Sequence, residues 1–202
     1  MTYVPDDNFE NYLEANGMGD GVALNDSVFT SNINMITSLD ISSLNISDLT
    51  GIEDFISLFA LHCDDNQLTS IDVSSNINLH ILSCSYNQFT SLSINNTTLV
   101  QLDCNDNPLL TNIDLSGATS LTDLSCERNQ LASIDISNNI ALINFGCSEN
   151  QLSSLDVSNN ILLADFNCED NQITSLDLSG ATGLVNLFCQ NNQLVSLDIR
   201  NG

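Results

Sequence analysis

From Leu58 onward, apolar and polar positions recur in one frame, L-x-x-L-x-C-x-x-N-x-L-x-x-L-D-V-S-x-N, with conservative exchanges. Aligned on the cysteine, the copies fall at Cys63, Cys84, Cys104, Cys126, Cys147, Cys168 and Cys189, at intervals of 21, 20, 22, 21, 21 and 21 residues. A fixed period of this length marks a solenoid, in which no unit buries its own apolar face and stacking completes the core. The residue two before each cysteine is Leu61, Leu82, Leu102, Leu124, Phe145, Phe166 or Leu187. Alternation puts it and the cysteine on the core face of a predicted inner strand. Leu155-Asp-Val157-Ser-Asn-Asn160 then repeats the frame of Phe145-Gly-Cys147-Ser-Glu-Asn150. That predicts a second strand on the opposite side of each turn, hence two stacked parallel sheets wound as a right-handed coil.

Three cysteine-to-asparagine steps on lie Asn66, Asn87, Asn107, Asn129, Asn150, Asn171 and Asn192. An in-register column of asparagines at the corner of each coil is expected to bond the backbone of neighbouring turns, a structural role. One stretch breaks the rhythm. The link from Ile94 to Leu99 is one residue shorter than its equivalent, and that from Asn107 to Ile113, which holds Pro108, is one longer. A local bulge or kink is predicted near 95–112.

Residues 1–32 lie outside the repeat. Phe9, Tyr12, Leu13 and Ala15 have helical spacing, with Asp6 or Asp7 as N-cap and Asn16-Gly17 as stop. This segment reads as a short helical N-terminal cap, and 33–202 as the solenoid of about eight repeats. Asn16, Asp20 and Gly21 match an EF-hand loop, but Met18 and Ser27 fail at two ligand positions, so the stretch reads as a glycine-rich turn. Ile46, Leu49, Ile52, Phe55 and Leu58 recur every third residue, the spacing of 3₁₀-like turns. The distance from Ile41 to Cys63 places Leu39 and Ile41 in the inner strand.

Composition narrows the partners. The 202 residues are 42% hydrophobic, enough for one elongated domain, and carry 26 acidic residues against two basic ones, Arg128 and Arg200, for a net charge of −24. Nucleic acid and anionic membrane surfaces need clustered Lys or Arg and are excluded as partners. The sequence holds no apolar run near the roughly 18 residues of a membrane helix, so no membrane insertion is expected. Met1 is followed by Thr-Tyr-Val-Pro-Asp-Asp without a leader pattern, which leaves either a cytoplasmic protein or a mature domain behind an added start methionine. Seven cysteines at one repeat position, with no C-x-x-C, fit neither a disulfide framework nor a zinc site. They are read as free, buried thiols filling the core.

Chemistry is left to the residues that flank the core positions. Three outward columns of the inner sheet vary between copies, and variation on a constant frame is where a scaffold differentiates a binding face. His62, Asp64, Tyr86, Asp103, Asp123, Glu127, Asp165, Glu169 and Phe188 are the binding candidates; the plain alternative is a solvated face. On the opposite sheet Asp72, Asp114, Asp135, Asp156 and Asp177 form a carboxylate column, either a solvated ladder or a weak multivalent calcium site. No cofactor is otherwise expected. Catalysis is not: the histidines are His62 and His80, His62 faces away from inward-pointing Cys63, and no phosphate loop is present.

L-x-x-L-x-C-x-x-N-x-L resembles the defining segment of leucine-rich repeat proteins. The L-D-[VI]-S-x-N continuation resembles the bacterial IRREKO subclass, and Ile46-Ser-Asp-Leu-Thr-Gly-Ile-Glu-Asp-Phe-Ile-Ser-Leu58 an internalin-type repeat. Tyr3-Val-Pro-Asp-Asp-Asn-Phe9 with Asn45-Ile-Ser-Asp-Leu-Thr-Gly-Ile-Glu53 resembles secreted surface proteins of marine Bacteroidetes. The resemblance implies a leucine-rich repeat solenoid that is secreted or cell-surface, non-enzymatic, and binds a protein or glycan. Alternatives are a polysaccharide- or calcium-dependent adhesion domain, or a ligand-free spacer. The ending Ile199-Arg-Asn-Gly202 lacks the expected polar cap, which implies a longer protein or end-to-end self-association there.

Overall fold

The computed structural model describes residues 1–199; the ending at 200–202, with Arg200, lies outside the described residues. The chain opens with β1 (Thr2–Tyr3), α1 (Asp7–Ala15), β2 (Ser27–Val28) and α2 (Thr30–Ile33). The repeats then supply β3 (Ser38–Asp40), β4 (Ala60–His62), β5 (Ile81–Ser83), β6 (Ser91–Ser93) and β7 (Gln101–Asp103). They continue through β8 (Asn112–Asp114), β9 (Asp123–Ser125), β10 (Asn144–Gly146), β11 (Leu155–Asp156), β12 (Asp165–Asn167), β13 (Leu176–Asp177) and β14 (Asn186–Phe188).

The inner strands form one eight-stranded sheet in the order β3-β4-β5-β7-β9-β10-β12-β14. Every pair is parallel and in register, Leu39 beside Leu61 and so on to Phe166 beside Leu187. Leu39 and Ile41 therefore belong to the inner layer, as their spacing predicted. The opposite side departs from a continuous second sheet: only β6–β8 and β11–β13 pair, each as a two-stranded patch. On that side the carboxylates of Asp72, Asp114, Asp135, Asp156 and Asp177 each take the N–H of the serine two residues on, at 2.9 to 3.0 Å, in paired and unpaired turns alike.

Six of the seven cysteines are buried and unbridged, and Cys189 at the last described inner strand is partly exposed, with no following described turn packed over it. Burial pushes the thiols up, Cys168 to about 12 and Cys63 higher. Phe145 and Phe166 stack at 5.5 Å in the position that leucine holds elsewhere. The 3₁₀ turn Ile52–Asp54 sits in the triplet-spaced segment, whose five apolar residues are all buried.

The asparagine corner is a ladder. Asn129 Nδ2 donates to the carbonyls of Cys104 at 3.1 Å and Cys126 at 2.8 Å, while its Oδ1 accepts the N–H of Asn107 at 2.9 Å. Asn66, Asn87, Asn107, Asn150, Asn171 and Asn192 make the same paired donation. The residue before each asparagine, from Asp65 to Asn191, is left-handed with φ of 52 to 56°, which turns the chain out of the strand. At the irregular stretch the ladder slips: Oδ1 of Asn107 and Asn129 accept from Asn87 and Asn107 themselves, where elsewhere the donor lies two residues later, as Leu131 does to Asn150. The predicted disturbance near 95–112 is absorbed in this way, and the eight-stranded register stays unbroken.

A second buried asparagine column, Asn76, Asn96, Asn139 and Asn160, lies on the far side; Asn139 Nδ2 donates to the Leu115 and Ala118 carbonyls of the turn before at 3.2 and 2.8 Å, while the Oδ1 atoms of Asn76, Asn139 and Asn160 have no hydrogen-bond partner among the described residues. Where alanine replaces asparagine, at Ala118 and Ala181, glycine precedes it. A Cβ on Gly180 would lie 1.9 Å from the Ser158 carbonyl oxygen, so the turns close up there.

The cap is tied on by carboxylates. Asp6 N-caps α1 through the N–H groups of Asn8 and Phe9, and its other oxygen accepts the N–H and hydroxyl of Ser47 and the N–H of Asp48. Burial opposes the charge, but these donors outweigh it and hold the carboxyl below its ordinary 3.8. Buried Glu10 accepts from Asn25 and Asp26 at 3.0 and 3.1 Å, fixing the glycine-rich turn against α1. The antiparallel β1–β2 pair, which the sequence pattern did not predict, joins the two ends of the cap.

Asn129→Ala strands the buried Asn107 N–H and removes one of the two amide donors on each of the Cys104 and Cys126 carbonyls, and costs about 1–3 kcal/mol; Asn192→Ala, at the half-exposed last corner, costs less. Chemical denaturation of both variants checks the order. In the native protein at pH 8, alkylation followed by mass spectrometry labels Cys189 first, and the six buried thiols only on unfolding.

Candidate functional site

With the core and both corners assigned, the outward columns of the eight-stranded sheet remain. A depression of about 310 Å³ crosses β7 to β14, lined by Gln101, Asp103, Asp123, Asp165, Asn167 and Phe188 among others. Its floor is Gly146. A Cβ there would lie 2.8 Å from Glu127 Oε1, so the missing side chain lets the Glu127 carboxylate lean across β10, where Asn167 Nδ2 donates to it at 3.3 Å.

Along one margin Asp123, Asn144, Asp165 and Asn186 alternate in neighbouring strands, and each asparagine amide donates to the aspartate before it. Gln101 donates to Asp103 at 2.8 Å. The amides hold the carboxylates in place without neutralising them. The one basic side chain among the described residues, Arg128, is on the corner column, 3.4 Å from Asp106 and 3.0 Å from Glu149. The depression is therefore an acidic surface ending in a half-exposed aromatic ring, Phe188.

The sequence candidates separate. Asp103, Asp123, Asp165 and Phe188 meet in the depression, and Glu127 leans over its floor. Glu169 lies just beyond, its N–H bonded to Asn167 Oδ1. Asp64 is committed within the scaffold, accepting from the Ser83 hydroxyl and the Ser85 N–H at 2.7 Å each. His62 lies on β4, away from the depression. Tyr86 is exposed at the left-handed corner position, φ 56°, outside the strand face. Gly146, Asn144 and Asn167 were not singled out from the sequence. The signal for Gly146 was present, as the smallest residue of a varied outward column.

The back-face column has a local explanation. Hydroxyl and N–H bonds from the serine two residues on hold Asp72, Asp135 and Asp156 below the ordinary 3.8. The same bonds, N–H first, act on Asp114 and Asp177. Among the described residues no group of three or more His, Cys, Asp or Glu is arranged to hold a metal ion.

A coil of parallel strands with an aliphatic or aromatic column and a cysteine column lining the core, and asparagine corners, is a leucine-rich repeat solenoid, and bacterial proteins of that fold are similar to it. Internalin C2 of Listeria monocytogenes superposes with a TM-score of 0.81 at 19% identity, covering 100% of this chain and 94% of that one. InlJ of Listeria monocytogenes, whose functional domain includes a cysteine ladder, is 28% identical over 97% of this chain and 52% of that one, TM-score 0.59. YopM of Yersinia enterocolitica is 29% identical over 79% of this chain and 33% of that one, TM-score 0.62. The chain thus spans about half of the InlJ chain it matches. No protein-family model and no curated sequence matches it.

The serine-bonded carboxylates set the pH response. Their folded-state values are depressed, so their contribution is present above the ordinary 3.8 and lost as pH falls through the lower folded values. Relief of the −24 self-repulsion works the other way until then. The melting temperature is expected to hold or rise from pH 7 to about 4, then fall. Ser137→Ala/Ser158→Ala flattens that fall, and added salt raises the melting temperature at pH 7; thermal scans across pH and salt check both.

Proposed function

We propose that the chain is a non-enzymatic recognition module, displayed at the cell surface or outside the cell, that binds a protein through the inner face between β7 and β14. The observation that carries this is the depression itself. On a scaffold whose core and corners repeat almost unchanged, the varied columns gather an acidic margin, a glycine floor and an exposed phenylalanine, with no Lys or Arg among the described residues to satisfy them there. The leucine-rich repeat fold shared with internalin C2 and InlJ supports an interaction role. The resemblance of Tyr3–Phe9 and Asn45–Glu53 to secreted surface proteins supports the location and a part in adhesion.

The geometry of the depression supports binding over turnover: its carboxylates line an open surface and accept from neighbouring amides, with neither histidine beside them. The inner-strand thiols beside the histidines are held protonated by burial.

Immobilised protein and its Asp103→Ala/Asp123→Ala/Glu127→Ala variant, incubated with surface and secreted proteins from a host or neighbouring cell, test the reading. The wild type recovers a partner and the variant recovers about tenfold less or worse. Equal recovery would remove the inner face from the function.

A further inference from the structure

Beside the depression the chain leaves apolar side chains in water. The residue immediately before each inner strand forms its own ladder: Ile143 N–H donates to the Thr122 carbonyl, Ala164 to Ile143 and Val185 to Ala164, each at 2.8 Å. Three residues earlier, Ile140 and Ile161 hold one repeat position in adjacent turns, with Leu162 next to Ile161. All of Ile140, Ile143, Ile161, Leu162 and Val185 are at least 40% exposed. In the two preceding turns the same positions carry Thr97, Val100, Thr119 and Thr122, which separates this ledge from Ile56, Phe59 and Ile77, exposed at the same positions of the first turns and away from the depression. A contiguous apolar surface of this kind on a chain otherwise rich in Asp, Asn and Ser marks an interaction site.

Its neighbour defines the occupant. The next residue inward from Ile143, Ala164 and Val185 is Asn144, Asp165 and Asn186, the acidic margin of the depression, with Asp123 one strand before. A second copy of this chain would bring another −24 charge against that margin, and nucleic acid or an anionic lipid surface would be repelled alike. A polypeptide whose apolar side chains lie on the ledge and whose Lys or Arg side chains reach Asp123 and Asp165 matches both features. We propose that the ledge at Ile140, Ile143, Ile161 and Val185, together with the Asp123/Asp165 margin, docks an amphipathic basic segment of the protein partner. This rests on the inner-face reading above and names the chemistry of what that face receives.

The probe is a fluorescent Leu–Lys amphipathic peptide of about 18 residues, titrated into the full chain at about 0.15 M salt and followed by anisotropy. A Leu–Glu peptide of the same pattern and a lysine-only peptide serve as comparators. Ile143→Ser/Val185→Ser and Asp123→Asn/Asp165→Asn are each expected to weaken Leu–Lys binding about tenfold. Asp135→Asn/Asp156→Asn, the same charge change on the opposite side, leaves it unchanged. All three variants are at exposed or half-exposed positions, and circular dichroism confirms their fold; Ile161→Ser replaces any that fails. Equal weakening by the back-face variant, equal binding of the lysine-only peptide, or indifference to the ledge variant would each overturn the proposal. If the ledge variant still recovers the partner that the Asp103→Ala/Asp123→Ala/Glu127→Ala variant loses, the inner-face reading stands and this inference falls alone.

Discussion

Each turn of the coil leaves its strand through a corner where backbone carbonyls and N–H groups point into the molecule, out of reach of water. A side chain that donates twice and accepts once answers that need, and an asparagine does so at every corner from Asn66 to Asn192. Because Nδ2 bonds a carbonyl of its own turn and one of the turn before, the amide also sets the rise between turns. Strand register and core alignment both depend on that spacing. Leaving such groups unpaired costs more than any single apolar contact in the core contributes.

The cysteine column follows from the same constraint. Turns held at strand separation leave room inward for a small side chain, and a thiol buried among leucines behaves as one. The chemistry that seven aligned cysteines suggest is suppressed by burial, which keeps the thiols protonated. Only Cys189, with no following described turn packed over it, retains partial exposure. The core thus reserves its regularity for packing and leaves recognition to the outward columns.

Charge on this chain is unevenly employed. Asp6 and Glu10 fasten the cap, and the back-face aspartates close serine turns. Asp64 is bonded within the inner face. Those of the depression are positioned by Asn144, Asn186 and Gln101 and pair with no Lys or Arg among the described residues. An array of fixed carboxylates beside exposed isoleucines is what makes a basic, amphipathic partner the chemical complement of this surface.

Period, inward-facing positions, the cap helix with its Asp6 N-cap and the asparagine corners were legible from the residues, because each depends on local spacing repeated many times over. The slip at 95–112 was visible as a change of length, though its outcome, a shifted hydrogen bond at Asn107 and Asn129 beneath an unbroken sheet, was not. Other features needed neighbours about 21 residues apart to be seen side by side. These include the broken back sheet, the second asparagine column, the Gly146 floor under Glu127 and the pairing of Arg128 with Asp106 and Glu149. So too did the division of nine outward candidates into those that meet and those that do not. A repeat sequence determines which way a side chain points, since alternation along a strand is a property of the chain; what that side chain touches is decided only when the turns stack, because its contacts belong to other copies of the repeat.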